Sequence, residues 1–182
     1  PSIFKVAGYE METLPISDQC SCDWGLKYSN NEVCYPATLI VGDIVKAFKE
    51  GRYDPDNTCV AITQTGGQCR ASNYISLIKK ALIENGYTHT PILSIAFGSG
   101  IDNQQPGFKV NWLKVLPIAL AAVLYSDCIA KFYYAAVVRE KKPGQAAKLK
   151  DMYLEAAKPL ILKNRPEDLL SYLSLAVDEF NQ

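Results

Sequence analysis

Thr58-Cys59-Val60-Ala61-Ile62-Thr63-Gln64-Thr65-Gly66-Gly67-Gln68-Cys69-Arg70-Ala71-Ser72-Asn73-Tyr74 is the stretch that decides how this chain folds. Thr58 to Thr65 is rich in small and β-branched residues, which suits a strand, and Gly66-Gly67 stops it. From Ala71 to Glu84 the residues Ile75, Ile78, Ala81 and Leu82 recur at helical spacing, and Asn85-Gly86 closes that helix. Pro91 to Ala96 reads as a second buried strand. Strand, helix and strand joined by short loops predict a parallel crossover and hence a sheet covered by helices. The Gly66-Gly67 turn then falls at the carboxyl edge of that sheet, where open α/β folds place their chemistry.

Upstream, a similar junction recurs. Asn30-Asn31-Glu32-Val33-Cys34-Tyr35-Pro36-Ala37 leads into a helix over Pro36 to Lys49, whose Leu39, Ile40, Ile44, Val45 and Phe48 share one face. Proline is tolerated in a first turn because the amides there have no helical partner. Glu50-Gly51 ends the helix, and Tyr53-Asp54-Pro55-Asp56-Asn57 is a turn cluster. Ser17-Asp18 offers an N-cap for a short helix through Cys22 and Leu26. Downstream, Phe97 to Phe108 is a glycine-rich loop, and everything after it reads as helix. The apolar run from Val115 to Tyr125 is closed by Ser126-Asp127, which makes it too short to cross a bilayer, so it is expected to be a buried helix. Asp127 and Lys131 can pair on its exposed side. Lys141-Lys142-Pro143-Gly144 is a break, Gln145 to Leu162 another helix, and Pro166-Glu167-Asp168 opens a last one.

The organisation expected is therefore an α/β half domain over 1–108 followed by an all-helical extension over 109–182. At 182 residues and 20.1 kDa the chain can bury one good core. Its 19 basic and 19 acidic residues cancel, which removes any electrostatic argument for nucleic acid or an anionic membrane. None of the cysteines at positions 20, 22, 34, 59, 69 and 128 falls in the paired C-x-x-C pattern of a zinc site. A disulfide framework suits this size poorly, and no secretory signal is present, so a reducing cytoplasm is the expected compartment. The chain begins at Pro1 and reads as an excerpt of a longer protein.

Cys34 and Cys69 each precede a predicted helix. Unpaired amides and the positive dipole end favour a thiolate there by roughly 0.3 to 1 kcal/mol. Arg70 adds a positive charge beside Cys69, and Gly66 and Gly67 let the backbone approach a ligand closely. Two plainer readings stand beside this one: a cysteine near a helix start is often a small buried residue, and a Gly-Gly turn between strand and helix also suits a phosphate. Cys59 and Cys128 read as core residues, and Cys20-Ser21-Cys22 as an incidental pair. His89, the only histidine, sits before a strand in a loop and belongs to no catalytic arrangement.

The two junctions, Asn30 to Ala37 and Thr63 to Tyr74, resemble the two cysteine motifs of the 2-hydroxyacyl-CoA dehydratase iron-sulfur superfamily. The resemblance is to the branch found in long CoA-substrate-specific enzyme activases, related to 2-hydroxyglutaryl-CoA dehydratase activators. It is strongest from about Gly25 to Ala96 and extends more weakly to about Tyr134. It implies a flavodoxin-like parallel-sheet half domain and a 4Fe-4S cluster in the parent protein, with Cys34 and Cys69 as metal ligands. Gln64, Gly66, Gly67 and Arg70, joined by Asn73 and Tyr74, would shape the shell around the cluster or a bound acyl-CoA.

In that family three cysteines hold the cluster, and the third comes from a second α/β lobe beyond this chain. The implied partners are that lobe and an ATP-hydrolysing activator domain, with neither nucleic acid nor membrane. The implied function is one-electron transfer driven by ATP; in the dehydratases proper the electron forms a ketyl radical that allows loss of water. The fragment alone would supply two thiolates and be metal-free and inactive. A non-redox scaffold, or a CoA- or phosphate-binding module with the same fold and no cluster, is the alternative. At the start, Ile3 to Ala7 suits a strand or a helix end; the family pattern favours the helix end, with Gly8 as stop and a short strand near Glu10 to Leu14. That strand would have lost its neighbour, and its open edge implies a homodimer through the amino-terminal segment or a rearranged start.

Overall fold

The computed structural model describes residues 1–30, 32–64, 74–96 and 107–181. These are mostly helical, with one two-stranded parallel sheet. They form two compact units, Leu14–Phe108, and Pro1–Thr13 together with Lys109–Gln182.

The first unit is built on a pair of helices. After the amino-terminal α1 (Ser2–Val6), Asp18 caps α2 (Gln19–Tyr28). Its carboxylate accepts the Ser21 amide at 2.9 Å while the Ser21 hydroxyl meets the Asp18 amide at 3.2 Å, a reciprocal cap. Helix α3 (Tyr35–Lys49) buries Ala37, Val41, Ile44, Val45 and Phe48, the three- and four-residue stripe expected of an amphipathic helix. It is buried on a second side as well, through Thr38 and Gly42.

That second side faces α2 at the backbone. A side chain added at Gly25 would run into the Thr38 carbonyl, and one added at Gly42 into the carbonyl of Ser21. Ser21 opposes Gly42 and Gly25 opposes Thr38, so the helices run antiparallel. The contact is ordered further by Ser17 Oγ donating to Asp43 Oδ2 at 2.6 Å and by the Asp18–Lys46 ion pair at 2.5 Å. Lys46 first, and then the Ser21 amide, pull the Asp18 carboxyl down to about 2, and the same partner raises the Lys46 ammonium.

The sheet pairs β1 (Val60–Gln64) with β2 (Ile92–Ala96) in parallel, Val60 opposite Ile92 through to Gln64 opposite Ala96. Helix α4 (Tyr74–Glu84) lies between them in sequence and buries Tyr74, Ile78, Ala81 and Leu82. Gly86, at φ +84°, takes the left-handed turn after α4 that a side chain would strain. Val60, Ile62 and Ile92 pack on the core made by α3 and α4, whereas Ala61 and Thr63, on the alternate positions, are exposed. β1 is thus covered through one set of positions, whereas β2 buries both Leu93 and Ser94, adjacent residues that point to opposite faces of the sheet. Period-two alternation in so short a strand is hidden by the threonines and alanine, which suit either side.

In the second unit α5 (Trp112–Val137) and α6 (Gln145–Leu162) pack together, with α1 and α7 (Pro166–Phe180) each against both. Its core joins Ile118, Tyr125, Ile129, Tyr153 and Leu169, with Ile3 and Val6 against it. The Tyr125 hydroxyl donates to the Tyr153 carbonyl at 3.0 Å, and burial pushes both phenols up, Tyr153 to about 12. Glu140 accepts the amides of Gly144 and Ala146 at 2.8 and 2.9 Å, which seats the start of α6 and lowers its carboxyl.

Three expectations are corrected here. The apolar segment is not too short to cross a bilayer: α5 runs 26 residues, past Ser126, whose hydroxyl returns to the Ala122 carbonyl at 2.8 Å, and the expected Asp127–Lys131 pair forms at 2.8 Å. By length and composition α5 is long and apolar enough to cross a membrane, with a mean hydropathy of 1.7 over its best window and 33% of that window buried. No strand forms at Glu10 to Leu14; the chain leaves Gly8 in irregular form, with Lys5 paired to Glu10 at 2.7 Å. The open strand edge that would join two copies is therefore absent among the described residues. Finally, residues 1–13 belong with the helical unit and not with the α/β unit, since Ile3 and Val6 find their apolar partners there.

Two measurements test this account. Gly42→Ala is expected to destabilise the protein by about 1 to 3 kcal/mol or more, because backbone cannot yield as a side-chain tip can; chemical denaturation reads the loss. Asp18→Asn keeps the cap but loses the ion pair, so it should melt below the unaltered protein at neutral pH. Because the folded carboxyl lies below its ordinary value, the difference is fully present above that value and should vanish as pH falls toward about 2.

Candidate functional site

Cys34 stands at the amino end of α3 as its N-cap. Its backbone is extended (φ −66°, ψ 146°), and its carbonyl accepts the amides of Ala37 at 2.9 Å and Thr38 at 3.3 Å. The turn before it is set by Asn30, whose side-chain oxygen accepts the Glu32 amide at 3.2 Å and whose carbonyl accepts that of Val33 at 3.1 Å. The Cys34 side chain makes no capping hydrogen bond. It is half-buried against the core, and its sulfur lies 3.2 Å from the Tyr74 hydroxyl.

Tyr74 is the first described residue of α4 and is only 7% exposed. Because α3 and α4 pack side by side and Tyr74 touches Cys34, the amino ends of the two helices coincide. Helix α4 has to lead from the finish of β1 back to the start of the parallel strand β2, so its first residue lies at the carboxyl edge of the sheet. Cys34 is thereby placed at that edge too. A phenol is a good hydrogen-bond donor and a thiol a weak one, so the pair suits a hydroxyl donating to sulfur.

Gln64 ends β1 opposite Ala96; its side chain, together with Gly66, Gly67, Cys69, Arg70 and Asn73, lies outside the described residues. The pairing of Cys34 with Cys69 that the resemblance implies falls outside them as well. Cys59 is exposed just before β1, at the opposite end of the strand from Gln64, which corrects its reading as a core residue: it precedes the strand and its alternation. Cys20 is exposed in the first turn of α2, and Cys22 is half-buried beside Tyr35, whose phenol is raised by hydrogen bonding to that thiol. Cys128 lies half-buried on α5. His89 is exposed in the loop before β2.

Among the described residues no three histidine, cysteine or carboxylate side chains converge to hold a metal. The donor chemistry at Cys34 nevertheless suits a soft metal: a thiol at the positive end of a 15-residue helix, shielded on one side by a phenol that can donate to sulfur. A shallow depression lined by Leu14, Asp43, Lys46 and Arg52 lies elsewhere, about 18 Å along α3 from Cys34. No family model, curated protein or solved structure matches the chain.

Thiol labelling tests this placement. Brief alkylation followed by peptide mass spectrometry should modify Cys20 and Cys59 well before Cys34, and replacing Tyr74 by alanine should bring Cys34 up toward the exposed pair. Equal labelling of all three in the unaltered protein would contradict the cover that Tyr74 provides.

Proposed function

We propose that this chain contributes two thiolates, Cys34 and Cys69, to an iron-sulfur centre in an ATP-driven CoA enzyme activase or 2-hydroxyacyl-CoA dehydratase-like system. The observation that carries the reading is the contact between Cys34 Sγ and Tyr74 Oη at 3.2 Å, since the two residues belong to the two separate cysteine motifs. Cys69 is five residues before Tyr74 in the sequence, and the Cys34–Tyr74 contact is what supports reading the two motifs as one site. The strand, helix and strand of this unit are read as part of a flavodoxin-like half domain, completed by a second lobe.

When bound, a 4Fe-4S cluster would supply one-electron chemistry at low potential. The chain's own part is to hold the sulfurs and limit water. Tyr74 covers Cys34 and donates to its sulfur, which would favour the reduced state. Gly66 and Gly67 are assigned the close backbone approach, and Gln64 and Arg70 the polar wall of the site. An ATP-hydrolysing activator domain delivers the electron, an acyl-CoA is the substrate class, and neither nucleic acid nor a membrane takes part. The cytoplasm is the compartment in which both cysteines would remain thiols.

Anaerobic reconstitution with iron and sulfide, in the protein that joins this chain to its activator domain and second lobe, tests the reading. Cys34→Ala and Cys69→Ala should each lower bound iron and sulfide, and Cys20→Ala should not. Iron content unchanged in both of the first two variants would exclude the pair as ligands.

A further inference from the structure

One face of the Leu14–Phe108 unit alternates aromatic rings with ammonium groups. Trp24 and Tyr28, one turn apart on α2, have ring centroids 6.0 Å apart and planes inclined by 12°. Lys27 holds its ammonium 5.2 Å from the Trp24 centroid and 5.4 Å from that of Tyr28. Lys49, at the end of α3, lies 6.0 Å from Trp24 and 5.7 Å from Tyr87. Tyr87 packs in turn on the buried Phe48, with centroids 5.3 Å apart. The result is a continuous row, Tyr28, Lys27, Trp24, Lys49, Tyr87, drawn from two helices and the turn after a third.

The charges in this row are positioned but not neutralised. Lys46 pairs with Asp18 and Lys80 with Glu84, yet among the described residues neither Lys27 nor Lys49 meets a carboxylate. Aromatic faces orient an ammonium without cancelling its charge, so an anion arriving here finds two cations already placed. Their distances to the one indole centroid, 5.2 and 6.0 Å, put the two ammoniums at most about 11 Å apart, a gap that a diphosphate with a hydrogen bond at each end spans. The half-buried Trp24 and Tyr28 add a flat surface, and stacking on such rings suits a base. Two cations in a chain of zero net charge make no track for a polymer backbone. No large aliphatic side chain belongs to the row, as a lipid surface would require.

We propose that this face binds a nucleoside diphosphate, with the base against Trp24 and Tyr28 and the phosphates between Lys27 and Lys49. None of these five residues belongs to the two cysteine motifs, so the site succeeds or fails independently of iron binding at Cys34.

Trp24 and Trp112 are the two tryptophans of the chain, so Trp112→Phe leaves Trp24 as the single indole reporter. Titration with ADP should change its fluorescence saturably in the millimolar range or below, and more weakly as salt rises. Adenosine alone and pyrophosphate alone should each bind at least about tenfold more weakly than ADP. The double variant Lys27→Gln, Lys49→Gln should lose at least about tenfold in affinity for ADP while its circular dichroism and melting temperature stay unchanged. Calorimetry of the unaltered chain with ADP reads the same affinity if the tryptophan variant does not fold. The proposal is overturned by the absence of saturable binding, by ADP affinity that survives in the double-glutamine variant, or by a short single-stranded oligonucleotide that binds more tightly than ADP.

Discussion

Two glycines let α2 and α3 meet at the backbone, and the rest of the α/β unit depends on that approach. With Gly25 against Thr38 and Gly42 against Ser21, the helices share a surface that holds no large side chain. Close packing of this kind fixes both the distance and the register of the pair, because carbonyls cannot rotate out of the way as long side chains do. The Asp18–Lys46 and Ser17–Asp43 contacts then act at one end of an interface that is already set. What they add is alignment more than cohesion, since exposed ion pairs contribute little by themselves.

From that pairing follows the position of Cys34. The α2 helix leaves α3 one side free, and that side, from Ala37 to Phe48, meets α4 and the sheet. With α3 held on both sides, its amino end has little freedom, and the thiol at the N-cap stands where Tyr74 begins α4. A reactive or ligating cysteine needs such support, because a sulfur on a loose loop cannot keep a fixed distance from a second one. The same helix pair presents Trp24, Lys27 and Lys49 on another face, so one packing decision arranges two chemically different surfaces.

The helical unit is organised by other means. Tyr125 and Tyr153 are buried through a hydroxyl-to-carbonyl bond, and α1 completes a bundle whose other helices come more than a hundred residues later. Glu140 shows how the unit turns a corner: a carboxylate placed four and six residues ahead receives the free amides at the start of α6. Helix α5 is buried through Val115, Ile118, Ala121, Ala122, Tyr125 and Ile129, while Leu113, Leu120 and Val123 on its other side are exposed.

Much of the chain's local structure was legible in its residues. The helix after Pro36, the cap at Asp18, the stops at Gly8 and Gly86, the two strands and the break at Lys141 to Gly144 all rest on backbone chemistry, which acts over a few neighbours and leaves its mark in the sequence. Tertiary contacts decided the remainder. Nothing local assigns residues 1–13 to the helical unit, since Ile3 and Val6 find their partners only in space. At the site, the sequence named Cys34 and Tyr74 through separate motifs, and only the packing of α3 on α4 brought sulfur and hydroxyl to 3.2 Å. The row of Trp24, Lys27 and Tyr28 carries a helical spacing that could have been noticed, but its completion by Lys49 and Tyr87 depends on the glycine contact between two helices, a fact of three dimensions.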